Sequence, residues 1–202
     1  MRADPARASA QRDRLGRAGK PRVGLAWSGS ALHRNDRNRS MALETMLPLI
    51  GNWAEFFTLQ TEIRDADTLA LASLPEMRLA VADLRDFADT AALVDLMDVV
   101  VTVDTSIAHL AGAMGKSVWI LLPFNPDWRW LLDREDSVWY PTARLFRQPA
   151  IGDWDSVIRR VREELMRRFD LGIEASGSVV RAGNSAHAPG RSTRRRWWSQ
   201  RV

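Results

Sequence analysis

Residues 99–123, VVVTVDTSIAHLAGAMGKSVWILLP, constrain this chain more than any other stretch. The β-branched run from Val99 to Val103 reads as a buried strand, and it enters the polar turn Asp104-Thr105-Ser106, whose side chains can cap a following helix. That helix is expected to begin near Ile107. Its small residues Ala108, Ala111, Gly112 and Ala113 let it lie close against a sheet, Gly115-Lys116 ends it, and residues 118–122 form another buried strand. A polar turn between strand and helix exposes backbone N–H groups at a helix start, a position suited to the negative charge of a phosphate.

The rest of the chain repeats this alternation. Residues 22–28 (RVGLAWS) read as a first buried strand and its turn, 56–60 as a second, 77–84 as containing a third, and 143–146 as a last. Helical spacing appears at Leu43, Met46, Leu47 and Ile50, over residues 90–97, and in an amphipathic segment at 154–169. The pattern predicts an α/β domain with a mostly parallel, Rossmann-like sheet covered by helices on both faces. Ligands of such sheets bind beyond the strand C-termini. The candidate site is therefore the set of turns after the strands: 28–40, Gln60, 83–86, 104–109 and the loop from Pro123.

Charge and composition narrow the function classes. A length of 202 residues fits one domain with tails. The net charge of +4 divides into about +5 at residues 1–22, +5 at 173–202 and −6 on the body between them. A nucleic-acid face should lie on the folded body, so binding of nucleic acid is not expected unless the tail alone provides it. Residues 173–202 have no helical period and are rich in Gly, Ser and Arg, the composition of a disordered tail. No segment approaches the length of a membrane span, and residues 1–22 lack the apolar core of a signal peptide, which points to the cytoplasm.

Several chemistries are absent from the text of the sequence. There is no cysteine, no G-x-x-x-x-G-K-[ST], no G-x-G-x-x-G after the first strand, no G-x-S-x-G and no H-E-x-x-H. Three histidines, one of them in the tail, make a multi-histidine metal site improbable and no metal is expected. An anion pocket remains. Asp104, Thr105 and Ser106 start the helix, and His109 lies about one turn further on the same face. Ser28 and Gly29 form the turn after the first strand, and Arg34, Arg37 and Arg39 can bring positive charge from the opposite side. Each has a plainer reading: Thr105 or Ser106 as a simple cap, His109 as a packed core residue, Asp104 as an Asx turn, the arginines as solvated surface. Nine tryptophans are abundant for this length. Trp27, Trp119 and Trp154 read as core, while Trp128, Trp130, Trp139 and Tyr140 in the loop after residue 122 can wall a ligand or pack beneath the loop.

Taken together, residues 99–123, the preceding DFADTAALVDLMD, the following PDWRWLLDREDSVWYPTARLFRQ and the opening GLAWSGSALHRNDRNRS resemble the C-terminal domain of bacterial TPR-containing glycosyltransferases. That group is related to the heptosyltransferases of glycosyltransferase family 9 and, more distantly, to O-GlcNAc transferase. The resemblance covers roughly residues 22–169. It implies a GT-B architecture of two Rossmann-like domains facing across a cleft, with residues 22–172 forming the C-terminal, nucleotide-sugar-binding one and residues 1–21 resembling the connection between domains.

On the same basis Asp104, Thr105, Ser106 and His109 occupy a D-T-x-x-x-H position beside the donor diphosphate, with further phosphate contacts from residues 28–39. Gln60 and the segment containing Asp83 lie where the nucleoside is held. The implied chemistry is inverting transfer from a nucleotide-diphosphate sugar, a donor substrate, with no obligatory metal or cofactor. The family's TPR region, first Rossmann-like domain and usual catalytic carboxylate have no counterpart in this sequence. A truncated domain that binds a donor without transferring its sugar unaided is therefore expected. Two alternatives accompany it: a split enzyme completed by a separate N-terminal glycosyltransferase or TPR chain, and an interaction module acting through the basic tail.

Overall fold

The computed structural model describes residues 1–79 and 84–171; Asp83 and the basic tail at 173–202 lie outside the described residues. Six strands form one sheet: β1 (Arg22–Ala26), β2 (Glu55–Thr58), β3 (Met77–Leu79), β4 (Val99–Val103), β5 (Val118–Leu122) and β6 (Ala143–Arg147). Their order is β3-β2-β1-β4-β5-β6, and every neighbouring pair is parallel. This is the α/β, Rossmann-like sheet expected from the sequence. The helices are α1 (Pro5–Leu15), α2 (Asp36–Arg39), α3 (Leu43–Met46), α4 (Asp65–Ala72), α5 (Phe87–Asp95), α6 (Ser106–Ala113) and α7 (Trp154–Arg168). Short 3-10 turns follow at Leu47–Leu49 and Trp128–Trp130.

Parallel strands with helices on both faces must be apolar on both sides, and β4 shows how the sequence meets that demand. Val99, Val101 and Val103 enter a core shared with residues of α3, α4 and α7. Val100, on the alternate face, joins residues of α5 and α6. In β5, Trp119 and Leu121 take the first core and Val118, Ile120 and Leu122 the second. At the centre, Gly24 lies between Phe57 and Val100, and a Cβ there would sit 2.6 Å from a Leu59 methyl. The sheet's middle is packed so closely that β1 carries no side chain at this point.

Helix α6 begins one residue earlier than expected. Thr105 is its N-cap, accepting from the Ile107 N–H at 3.3 Å, and Gly115 at φ +71° takes the left-handed backbone that follows the helix. Helix α5 starts at Phe87 rather than Thr90, because the Asp86 carboxylate caps it by accepting from the Asp89 N–H at 2.8 Å. The charged loop after β1 is not wholly irregular: it contains α2, whose Asp36 is buried and ion-paired with Arg64 at 2.6 Å.

Within residues 1–21 the structure forms α1, a helix that the hydrophobic pattern does not announce because Ala8 is its sole buried residue. It packs along α5. Charge holds it there: Arg7 donates to Asp86 at 2.6 Å and to Asp89 at 2.8 Å.

At the other end of the sheet, β6 is an edge strand. The loop after β5 runs back along it, with a bridge between Asp136 and Arg144 and a hydrogen bond from the Leu145 N–H to the Glu135 carbonyl at 2.7 Å. No helix among the described residues is long and apolar enough to cross a membrane.

The hydrogen bond from Arg7 depresses the Asp86 carboxyl below the ordinary aspartate range. A depressed value in the folded state stabilises docking at every pH above that range, and the contribution is lost as pH falls through the lowered value. Amides of α1 are therefore expected to lose protection, relative to their intrinsic exchange rates, below about pH 4, before the central strands do, and Asp86→Asn should bring the same loosening to neutral pH.

Candidate functional site at the β1–β4 crevice

The strand order reverses between β1 and β4, so the loops leaving these two strands part and open a crevice at the sheet's C-terminal edge. Three ties shape it. Gln60, just past β2, is 5% exposed. Its Oε1 accepts from the N–H groups of Trp27 and Ser28 at 2.6 and 2.8 Å, and its Nε2 donates to the Ser28 hydroxyl and the Glu62 carbonyl, each at 3.1 Å. The amide thus fixes the turn after β1.

The second tie is Asp67, 1% exposed, which accepts from the Trp27 indole at 2.8 Å and the Leu43 N–H at 2.9 Å. It holds α4 against the same turn. The third is Arg39, which spans the crevice and donates through Nη1 to the Asp104 carbonyl at 2.7 Å. Its guanidinium lies against Gly29: a Cβ at that position would sit 2.5 Å from Nη2.

Arg39 is unusual in its environment. Its side chain is 12% exposed, the nearest carboxylate oxygen of Asp36 is 4.0 Å away, and its buried Nε has no hydrogen-bond partner among the described residues. A desolvated cation with an unused donor is costly unless a further acceptor reaches it. Two cavities meet at this residue. One of about 540 Å³ runs from Ser28, Gly29 and Gln60 past Leu84, Asp86, Phe87 and Thr90 to Thr105 and Ser106. The other, about 490 Å³, is lined by His33, Asn35, Arg39, Asp104, His109, Asp127 and Arg129.

The α6 start lies between them. The Thr105 hydroxyl is engaged by Thr102 at 3.1 Å and by the Ile107 N–H, whereas Ser106 is exposed and its N–H, in the first helical position, has no intrahelical acceptor. His109 faces the polar cavity with Nε2 3.9 Å from an Asp104 carboxylate oxygen. Burial pushes the Asp127 carboxyl upward, but hydrogen bonds from the Arg129 N–H and guanidinium outweigh it and leave the group below its ordinary value. Among the described residues no group of three or more His, Asp or Glu is arranged to hold a metal ion.

Of the residues singled out from sequence, Ser28, Gly29, Arg39, Gln60, Thr105 and Ser106 line the larger cavity, and Asp104 and His109 line the polar one. Arg34 and Arg37 are exposed and line neither. Asp83 lies outside the described residues. The tryptophans divide: Trp130 is buried beneath the loop and stacks on His109, whereas Trp128 and Trp139 are exposed and meet edge to face at 6.5 Å. Sequence reading set Tyr140 among the loop aromatics that can wall a ligand and gave no individual site role to Asn35 or Thr90. The fold brings Asn35 to the polar cavity and Thr90 to the larger one.

The fold and crevice define an α/β protein with a Rossmann-like parallel sheet and a polar crevice at its C-terminal edge. Comparison with known proteins agrees with that class. The chain superposes on Escherichia coli ADP-heptose LPS heptosyltransferase II with a TM-score of 0.51 at 15% identity, covering 83% of this chain and 52% of that one. At this identity the likeness establishes the fold alone. Wall teichoic acid polymerase TagF (H444N variant) aligns at a TM-score of 0.45 and 9% identity over 82% of this chain and 40% of its own, too weak a match to argue from. In sequence, the chain is 26% identical over 174 residues to Protein FlbA of Caulobacter vibrioides, spanning 82% of this chain but 28% of FlbA. The chain therefore spans about a quarter of that relative and half of the heptosyltransferase. No family model matches it.

Replacing Gln60 by leucine would leave the buried N–H groups of Trp27 and Ser28 without their acceptor. The expected loss is about 3 kcal/mol of stability, seen as a lowered urea midpoint with an unchanged slope.

Proposed function

We propose that residues 22–171 form the donor-binding domain of a glycosyltransferase, taking a nucleoside diphosphate sugar in the β1–β4 crevice. The observation that carries this reading is Arg39, a buried guanidinium with an unpartnered Nε where two cavities meet beside the α6 start. The larger cavity receives the nucleoside. Its floor is apolar at Ala26, Leu59, Leu84 and Ile107, and Asp86 and Thr90 offer polar partners to a ribose. The diphosphate crosses the α6 start, where the Ser106 N–H and hydroxyl, the helix dipole and Arg39 all favour negative charge. The sugar then enters the polar cavity beside Asp104 and His109. Agreement with the heptosyltransferase fold supports the reading.

The chemistry that these groups supply is leaving-group stabilisation. In inverting transfer an acceptor oxygen attacks the anomeric carbon, the bond to the diphosphate breaks, and charge develops on the departing phosphate oxygen. A buried cation and a helix start already oriented toward that oxygen stabilise the transition state without reorganising, and no metal is required for it. Asp127 is a poor proton acceptor because Arg129 holds it in its ionised form. The acceptor site and the base are accordingly assigned to a facing domain, on the same polypeptide or a separate TPR-containing or glycosyltransferase chain. The motif resemblance to TPR-containing glycosyltransferases supports that assignment.

Calorimetry with UDP-, ADP- and GDP-sugars tests the donor site directly. One nucleotide class should bind, and Arg39→Ala should weaken it roughly 10- to 100-fold while thermal unfolding remains cooperative. Absence of binding by all three classes, or full binding by an Asp104→Ala, His109→Ala double variant, would remove the assignment.

A further inference from the structure

Helix α6 carries a glycine, Gly112, in its last turn, where any other residue but proline would be the better helix former. A Cβ on Gly112 would lie 2.8 Å from both Cδ atoms of the Tyr140 ring. The glycine is the space in which that ring sits. Tyr140 cannot withdraw easily, because its N–H donates to the Ser137 hydroxyl at 3.3 Å and its carbonyl accepts from the Ala143 N–H at 2.9 Å. Its hydroxyl therefore reaches one turn back along α6 and meets His109 Nδ1 at 3.0 Å. On the imidazole's flat face Trp130 is stacked, with ring centroids 5.4 Å apart and planes inclined by 17°. Two aromatic neighbours from the loop after β5 thus fix both the ring's plane and its rotation, leaving Nε2 toward the polar cavity.

We infer that Tyr140 is a positioning residue that holds neutral His109 in the Nε2–H tautomer, so that the imidazole offers the cavity a donor without having to be protonated. The direction follows from electrostatics. If Nδ1 carried the proton, Nε2 would turn a lone pair toward the Asp104 carboxylate, 3.9 Å away. With the phenol O–H donating to Nδ1 instead, the proton stands on Nε2 and faces that carboxylate. Asp127 is a second negative group on the cavity side, and Arg39, Arg129 and His33 share its lining. On the opposite side, toward α1, the groups near the ring are Met1, Arg2 and Asp4, across an otherwise apolar groove. The carboxylates nearest Nε2 favour a proton there; the phenol supplies the complementary donor at Nδ1.

The tautomer is a property of the unliganded protein, while its use in holding a phosphate oxygen rests on the donor-site reading. Two measurements keep these apart. Nitrogen-15 spectra of histidine-labelled full chain at pH 8, with His109→Gln identifying the resonances, should show a protonated Nε2 and an unprotonated Nδ1 for His109. Tyr140→Phe should convert this to a mixture of tautomers, and Gly112→Ala, which keeps both rings but displaces the phenol, should do the same. An Nδ1–H form in the wild type, or an unaltered ratio in both variants, overturns the inference.

The second measurement titrates inorganic pyrophosphate. At pH 8 Tyr140→Phe should bind about threefold to tenfold more weakly than wild type, and in the His109→Gln background the same change should cost nothing further. An equal loss in both backgrounds would mark Tyr140 as merely structural and overturn its role. If wild type holds no pyrophosphate while the spectra behave as stated, the donor-site reading fails and the tautomer assignment stands.

Discussion

The pairing of β1 with β4 is the constraint on which the rest depends. Every strand of the sheet runs in the same direction, so every loop that follows a strand emerges at one edge, and only at this seam do two adjacent loops diverge. The seam is also closely packed, with Gly24 giving up its side chain to Leu59. A crevice between rigid strands inherits their rigidity. The small residues of α6 extend the same logic, because Ala108 and Ala111 allow the helix start to approach the sheet and bring its exposed N–H to the rim.

Divergent loops alone would leave a soft opening. What fixes it is a set of buried polar ties, each with its partners satisfied in all but one case. Gln60 and Asp67 spend their hydrogen-bonding capacity on backbone and indole groups, so they hold shape and have little left for a ligand. Arg39 is the exception. It holds the two loops together through the Asp104 carbonyl and still retains an unused buried donor. The contrast separates polar residues whose hydrogen-bonding capacity is spent from one whose capacity is not, on hydrogen-bond accounting rather than on residue type.

Much of this was legible in the sequence because the sheet's demands are repetitive. Apolar runs ended by polar turns gave the strands, the Thr105 cap and Gly115 gave the limits of α6, and the strand-end rule gave the neighbourhood of the site. Gln60 lines the crevice, but its buried role as a tie depends on two strands being neighbours, which the sequence does not show. The three arginines of the first loop look equivalent in sequence; only α2, anchored by Asp36 to Arg64, turns Arg39 inward and leaves Arg34 and Arg37 outside. Helix α1 went unread because charge, not an apolar stripe, docks it. Tyr140 and Gly112 are 28 positions apart, and no periodicity connects a helix glycine to a ring in a distant loop.

The loop after β5 has one more consequence. A parallel sheet ends in strands with an unpaired row of N–H and C=O groups, an invitation to another chain. At β6 that row is partly occupied from within by the Asp136–Arg144 bridge and the Glu135 carbonyl, and Arg144 and Arg147 add positive charge along the strand. The segment that carries Trp130 and Tyr140 to His109 is thus also the guard of the sheet's margin. Its length is under two demands at once, and a change that loosened it for a different ligand would also uncover an edge prone to self-association.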